Sequence, residues 1–246
     1  MFTITNSDNS NTVVESVTII QKSVHSEAIE NMNIGILGTG ATGLTIGTKL
    51  VELGHGVMVG SRDEANPDAV LWAKNAGRNA LYGTFMNAAE FGEIIFNCTL
   101  GAASLAALRM AGERNLRGKI LIDTSNPIDR STDTWRLTVC NTDSLGEQIQ
   151  REFPDVRVVK TLNTVNANVM VDPNKLIEKT DAFVSGNDIE AKSTVVRILK
   201  EWFGWREVID LGDITTARSV EMYVLLWHDM RKAISSQRFN IKLVTA

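Results

Sequence analysis

The sequence predicts an α/β fold, a doubly wound and mostly parallel sheet with a C-terminal helical cap. Three observations predict it. Short apolar runs recur from Met32 onward, each followed by a stretch with helical spacing. The runs are apolar at nearly every position, which marks strands buried on both faces. The first run passes directly into a glycine-rich turn and a helix, the opening of a βαβ unit.

Taken in order, Met32–Leu37 is the first strand. Ala41–Leu53 follows as a helix with Leu44, Ile46, Leu50, Val51 and Leu53 apolar, and Gly54 stops it. Val57–Val59 is the second strand. Further strands are expected at Ile94–Cys98, Lys119–Ile122, Val156–Leu162, Ala182–Ser185 and Glu207–Leu211. Helices are expected around Pro67–Ala76, Ala102–Ala111, Ser144–Glu152 and Ile189–Phe203. Ile214–Ser235 reads as one long amphipathic helix, able to cap a cleft or meet a second copy. Phe239–Val244 returns as a terminal segment, read as a short strand.

Residues 1–31 differ in character. Thr3–Thr12 is rich in Asn, Ser and Thr, and Val13–Ile20 alternates partly, as an edge strand or a flexible extension would. The chain therefore divides into a polar extension (1–31), a nucleotide-binding domain with an extended sheet (32–211), and a C-terminal helix and tail packed on the cleft (212–246).

Composition removes several function classes. The balance of 25 basic against 29 acidic residues argues against a general nucleic-acid binder. Two distant cysteines, Cys98 and Cys140, exclude a disulfide framework and point to a reducing, cytoplasmic setting. With three scattered histidines, no metal site is expected. Met1–Ser10 lacks a secretory pattern, and the apolar stretch Met222–Trp227 is far below the roughly 20 residues that span a bilayer, so no membrane partner is expected.

The turn after the first strand is Gly38-Thr39-Gly40-Ala41-Thr42-Gly43, a G-x-G-x-x-G in the strand–helix context that the pattern requires. Gly38 permits the tight turn, Gly40 lets a pyrophosphate approach, and Gly43 lets the helix lie close to the strand. The free N–H groups and positive end of the helix then hold phosphate. This is a Rossmann-type dinucleotide site.

NAD-specific sites end the second strand in Asp or Glu, which accepts from the ribose hydroxyls. Here that strand ends in Gly60-Ser61-Arg62, and Asp63 falls about two residues late. A hydroxyl and a guanidinium suit a 2′-phosphate, so NADP(H) is the expected cofactor. Thr39 offers a further hydroxyl. Thr99-Leu100-Gly101 should line the cofactor, and Thr124-Ser125-Asn126-Pro127 should face the nicotinamide together with Asn163 and Thr164. Amides and hydroxyls there can hold a carboxamide without adding charge.

Other residues read as structural. Cys98 and the pair Trp202 and Trp205 look like core. His228 is read as structural in preference to an acid–base role, with an approach to the acceptor pocket left as the alternative. Arg218 and Glu221, at i, i+3 spacing, suggest a surface ion pair.

Taken together, several segments resemble the NADPH-dependent coenzyme F420 reductase family, which is also similar to the cytosolic oxidoreductase domain of six-transmembrane metalloreductases. They are Ile34-Gly35-Ile36-Leu37-Gly38-Thr39-Gly40, Gly54-His55, Gly60-Ser61-Arg62, Lys160-Thr161-Leu162-Asn163-Thr164, Val184-Ser185-Gly186-Asn187-Asp188 and Ala217-Arg218-Ser219-Val220-Glu221-Met222-Tyr223. The resemblance runs from about Met32 to the end. It implies NADP(H) bound through Thr39, Ser61 and Arg62, a hydride acceptor beside Asn163–Ala167, and a homodimer; the residues themselves leave a monomer open. The chain departs from the deazaflavin reductases in carrying Asn163-Thr164-Val165-Asn166 where they tend to have His-Thr-Ile-Pro. It also has Asn66 near the place of a lysine that often follows their Ser-Arg pair.

The expected activity is thus an NADP(H)-dependent oxidoreductase passing hydride to a small planar molecule, coenzyme F420 or a flavin. Two alternatives stand beside it. One is a reductase of small carbonyls or imines, whose relatives often carry a catalytic lysine on a later helical domain. The other is a non-catalytic NADP-sensing module.

Overall fold

The structure, a computed structural model, describes residues 31–131 and 134–245. The segment Val13–Ile20 lies outside the described residues. Asn31–Ala246 form one compact unit.

Chain order alternates strand and helix: β1 (Asn33–Leu37), α1 (Ala41–Glu52), β2 (Gly56–Ser61), α2 (Pro67–Ala76), β3 (Ala80–Thr84), α3 (Phe85–Phe91), β4 (Ile94–Asn97), α4 (Gly101–Ala111), α5 (Glu113–Leu116) and β5 (Ile120–Asp123). A two-residue ladder follows, β6 (Ile128–Asp129) against β7 (Arg136–Leu137). Then come α6 (Leu145–Glu152), β8 (Arg157–Thr161), α7 (Ala167–Met170), β9 (Asp181–Ser185), α8 (Ile189–Glu201), β10 (Glu207–Asp210) and α9 (Ala217–Ala233).

The strand order is β10-β9-β8-β5-β4-β1-β2-β3. Strands β3, β2, β1, β4, β5 and β8 run parallel; β9 pairs antiparallel with β8, and β10 follows β9 in parallel. The order reverses between β1 and β4, the switch point at which α/β sheets open a crevice. Loops after β1, β2, β4, β5 and β8 therefore all emerge at one edge.

Alternate residues of each strand feed opposite faces. Leu37, Ile95, Leu121 and Val158 join Phe85, Ala88, Ala107, Leu108, Leu116, Leu145 and Ile149 in one core cluster, so α3 to α6 cover that face. On the other face Ile36 and Trp72 of α2 both close on Gly47 of α1, and Phe96 packs on Phe203 after α8. Cys98, Trp202 and Trp205 are buried core residues, as expected. No helix among the described residues is long and apolar enough to cross a membrane.

Two expectations fail here. Phe239–Val244 forms no strand, because its polar groups are taken by a neighbouring turn: the Asn240 amide donates to Thr180 Oγ1 and the Asp181 carbonyl, and the Leu243 N–H donates to the Asp181 carboxylate. The long C-terminal helix is also shorter than Ile214–Ser235. Ile214–Thr216 is a 3-10 turn capped by Asp213, and the α-helix begins at Ala217. The strand–helix pair β3 and α3 carries no apolar run long enough to be read from sequence, because Leu81 and Tyr82 of this edge strand face solvent.

Candidate functional site

Gly38 adopts φ +115°, and a β-carbon there would lie 2.8 Å from the Cys98 carbonyl. A β-carbon on Gly43 would lie 2.1 Å from the Gly38 carbonyl, so helix and turn touch backbone to backbone. At Gly40 nothing lies within 4 Å, which leaves the opening above the turn clear. Two helices begin at this crevice, α1 with Gly40 at its N-cap and α4 with Leu100; neither has a capping side chain or an acidic residue in its first turn. In contrast α2, α3, α6 and α8 are each capped by a side chain, from Asn66, Thr84, Ser144 and Asp188. Free N–H groups at α1 thus face open space, which fits a dinucleotide pyrophosphate.

At the end of β2, Ser61 is buried and its hydroxyl is engaged locally. It donates to the Asp63 carbonyl at 2.5 Å and accepts from the Asp63 N–H at 3.1 Å. The Asp63 carboxylate accepts from Ala65 N–H, and Asn66 caps α2. Asp63 is therefore turned to its own loop and not to a ribose. Arg62 is exposed and makes no ion pair among the described residues.

After β4, Thr99 Oγ1 donates to Asn97 Oδ1 at 2.7 Å and lies 2.7 Å from Ser104 Oγ; Leu100 is exposed. The Asn97 amide in turn donates to Asp123 Oδ1 at the end of β5. The carbonyl of Asn126 would lie 2.0 Å from a β-carbon on Gly101, so only glycine lets the two loops, the second ending in Asn126-Pro127, close on each other.

Asn126 and Asn163 clasp each other. The Asn126 amide donates to the Asn163 carbonyl at 2.8 Å, and the Asn163 amide donates to Asn126 Oδ1 at 2.9 Å and to the Val220 carbonyl of α9 at 2.9 Å. Leu162 just before it adopts φ +60°, a conformation that costs a residue with a β-carbon about 1–2 kcal/mol. It turns the chain out of β8, with Asn163 and Thr164 buried behind it.

Beneath the loops lies a cluster that sequence reading missed. Lys160 is fully buried, 2.5 Å from Asp123 and 2.8 Å from Glu221, and it donates to the Ser125 carbonyl at 2.8 Å. Burial works to discharge the ammonium, but Asp123 and Glu221 outweigh it and hold its pKa above the usual value. The available signal was a lysine inside the apolar run Val156–Leu162.

The predicted Arg218–Glu221 surface pair is not formed. Glu221 points inward, where it also accepts from the Leu145 and Gly146 N–H groups of α6. Arg218 instead grips Glu147 with two hydrogen bonds, which hold the Glu147 carboxyl below its usual range. The i, i+3 spacing lost to tertiary contacts across the α6–α9 interface.

His228 is buried and stacks on Trp135. Burial, with Lys232 and Arg231 nearby, lowers its pKa. Cys98 is buried and its thiol is pushed up to about 12, which leaves it inert.

The loops thus gather at one edge the expected glycines, Ser61, Arg62, Thr99, Leu100, Asn126, Pro127, Asn163 and Thr164. Residues 33–127 match the family model of coenzyme F420-dependent NADP oxidoreductases. A crystal structure of a proposed F420-dependent NADP reductase from Arthrobacter sp. FB24 is 44% identical, with a TM-score of 0.84, and covers 87% of this chain and 100% of that one. The chain belongs to this family. It is an NADP-dependent oxidoreductase.

The F420-dependent NADP reductase of Methanothermobacter marburgensis is 29% identical over 206 residues, 77% of this chain and 88% of that protein. The metalloreductase STEAP3 of Rattus norvegicus is 30% identical over 199 residues. This chain spans 36% of its length.

Proposed function

We propose that the protein transfers hydride between NADP(H) and a planar acceptor, a deazaflavin such as coenzyme F420 or a flavin. The observation that carries this reading is the chemical character of the crevice. Its ionisable neighbours Asp123, Lys160 and Glu221 are consumed in one another, and the loops above them present amides and hydroxyls. Such a surface orients two rings and supplies no nucleophile or strong acid, which is what direct hydride transfer needs.

In this reading the N–H groups of Ala41, Thr42 and Gly43, opening α1 above Gly38 and Gly40, hold the pyrophosphate. Arg62 pairs with the 2′-phosphate, with Thr39 and the Ser61 turn beside it. Thr99 and Leu100 line the adenine-to-nicotinamide path. Asn126, Pro127, Asn163 and Thr164 set the angle of the nicotinamide ring through its carboxamide. When bound, the nicotinamide supplies or takes the hydride. The start of α9, tied to Asn163 through Val220, shields that point from water. Nucleotide-linked relatives lend support, since the protein of Methanothermobacter marburgensis is an F420-dependent NADP reductase.

NADPH oxidation measured against coenzyme F420, FMN, FAD, quinones, ferric chelates, and small carbonyls and imines tests the reading. Turnover with a deazaflavin or flavin is expected. Turnover confined to small carbonyls or imines would overturn it.

A further inference from the structure

Trp135 and His228 carry a feature that the reading above leaves unused. The imidazole of His228 is 5% exposed, and neither of its nitrogens has a hydrogen-bond partner among the described residues. Two more buried orphans, Tyr223 Oη and Trp227 Nε1, lie within the preceding five residues of α9. Native proteins seldom leave such groups unpaired, because each forfeits the hydrogen bonds it made to water. What covers His228 is an aromatic ring: Trp135 stacks on it, with centroids 3.9 Å apart and planes 22° from parallel. The Arg130 guanidinium lies over the same indole at 5.5 Å.

Trp135 is only partly buried and sits in the loop between β5 and α6, whose internal ladder is the two-residue β6–β7 pair. The base of that loop is fixed where the Thr138 N–H donates to the Pro127 carbonyl, next to Asn126. The loop thus starts beside Asn126 at the crevice and, before it enters α6, lays Trp135 on His228 of α9. Along α9, His228 lies eight residues beyond Val220, whose carbonyl accepts from Asn163. At 1.5 Å per residue this is about 12 Å, the reach of a fused-ring system and too far for a small carbonyl compound.

We propose that Trp135 occupies the seat of the hydride acceptor's fused heteroaromatic ring, and that the ring, on displacing the indole, takes a hydrogen bond from His228 at its polar edge. The indole gives the seat its size and flatness. The imidazole gives it a donor for a ring carbonyl or ring nitrogen. This rests on the hydride-transfer reading above and narrows its acceptor to fused rings with a polar edge.

The test uses coenzyme F420 and FMN as probes in steady-state NADPH oxidation, with NADPH affinity measured by calorimetry. Trp135→Ala is expected to lower the acceptor KM about 3–10-fold, because the competing ring is gone. His228→Phe is expected to raise it at least tenfold, with His228→Gln partly restoring it. NADPH affinity should stay within twofold in all three. Binding of either probe to wild type should also red-shift the Trp135 emission, isolated by difference against Trp135→Phe. If wild type reduces neither probe, the hydride-transfer reading falls and takes this inference with it. If wild type reduces them while the acceptor KM and the Trp135 emission stay unchanged, this inference alone falls.

Discussion

Asn126 and Asn163, 37 positions apart in sequence, exchange hydrogen bonds across the ends of β5 and β8 at 2.8 and 2.9 Å. The pair joins two loops of the crevice, and through Val220 it joins both to α9. Asn163→Ala removes the amide that makes two of these bonds. It is expected to cut the hydride-transfer rate about 10–100-fold, with NADPH affinity changed little, because orientation and not binding is lost. Single-turnover kinetics with calorimetry separates the two; an unchanged rate would remove Asn163 from the site.

Arg62 reads the extra phosphate in the proposed cofactor site. Arg62→Ala is expected to weaken NADPH binding by about 1–3 kcal/mol and leave NADH binding nearly unchanged. Equal losses for both nucleotides, measured by calorimetry, would contradict the assignment.

The second and third glycines of the turn differ in what surrounds them. A β-carbon on Gly43 would lie 2.1 Å from the Gly38 carbonyl, whereas one on Gly40 meets nothing within 4 Å. Gly43→Ala should therefore lower thermal stability, by about 1–3 kcal/mol for an overpacked contact, and lose NADPH binding with it. Gly40→Ala should keep its melting temperature and still weaken NADPH binding, since the methyl group stands in the phosphate's approach.

Lys160 is the sole cation of a buried cluster with Asp123 and Glu221. Replacing it by methionine leaves two carboxylates buried without their partner, a loss of about 3–5 kcal/mol. Chemical denaturation should register that loss, and adding Glu221→Gln to Lys160→Met should recover part of it.

Acid weakens the α6 region with a defined sign. Arg151 holds the Asp143 carboxyl at about 2, below its usual 3.8. A carboxyl depressed by folding stabilises above its unfolded pKa, and the contribution fades as pH falls from about 4 toward 2. Arg151 is largely exposed, so Arg151→Met should cost only about 0.5 kcal/mol at pH 7. Denaturation at pH 7 and pH 2 should show that difference shrink in acid.

Much of the fold was legible in order along the chain. The helix over Pro67–Ala76 has the expected bounds because Asn66 caps it and Gly77 ends it, both local signals. The glycine turn was readable for the same reason: its conformational demands are set within six residues. Edge strand β3 was not, since an edge buries one face and so leaves no apolar run. Arg218 and Glu221 show the reverse failure, in which a plausible local pair was overridden by partners more than 60 residues away.

By itself the sequence determined the alternation of buried strands and covering helices, the glycine-rich turn after β1 and the hydroxyl–guanidinium end of β2. Each depends on neighbours a few residues apart, where spacing alone fixes burial and backbone freedom. Only the tertiary structure decided the Lys160 cluster, the Asn126–Asn163 clasp and the cover of Trp135 over His228. Those contacts join residues from separate elements, and a buried charge or amide finds its partner only after the sheet has set the distance between them.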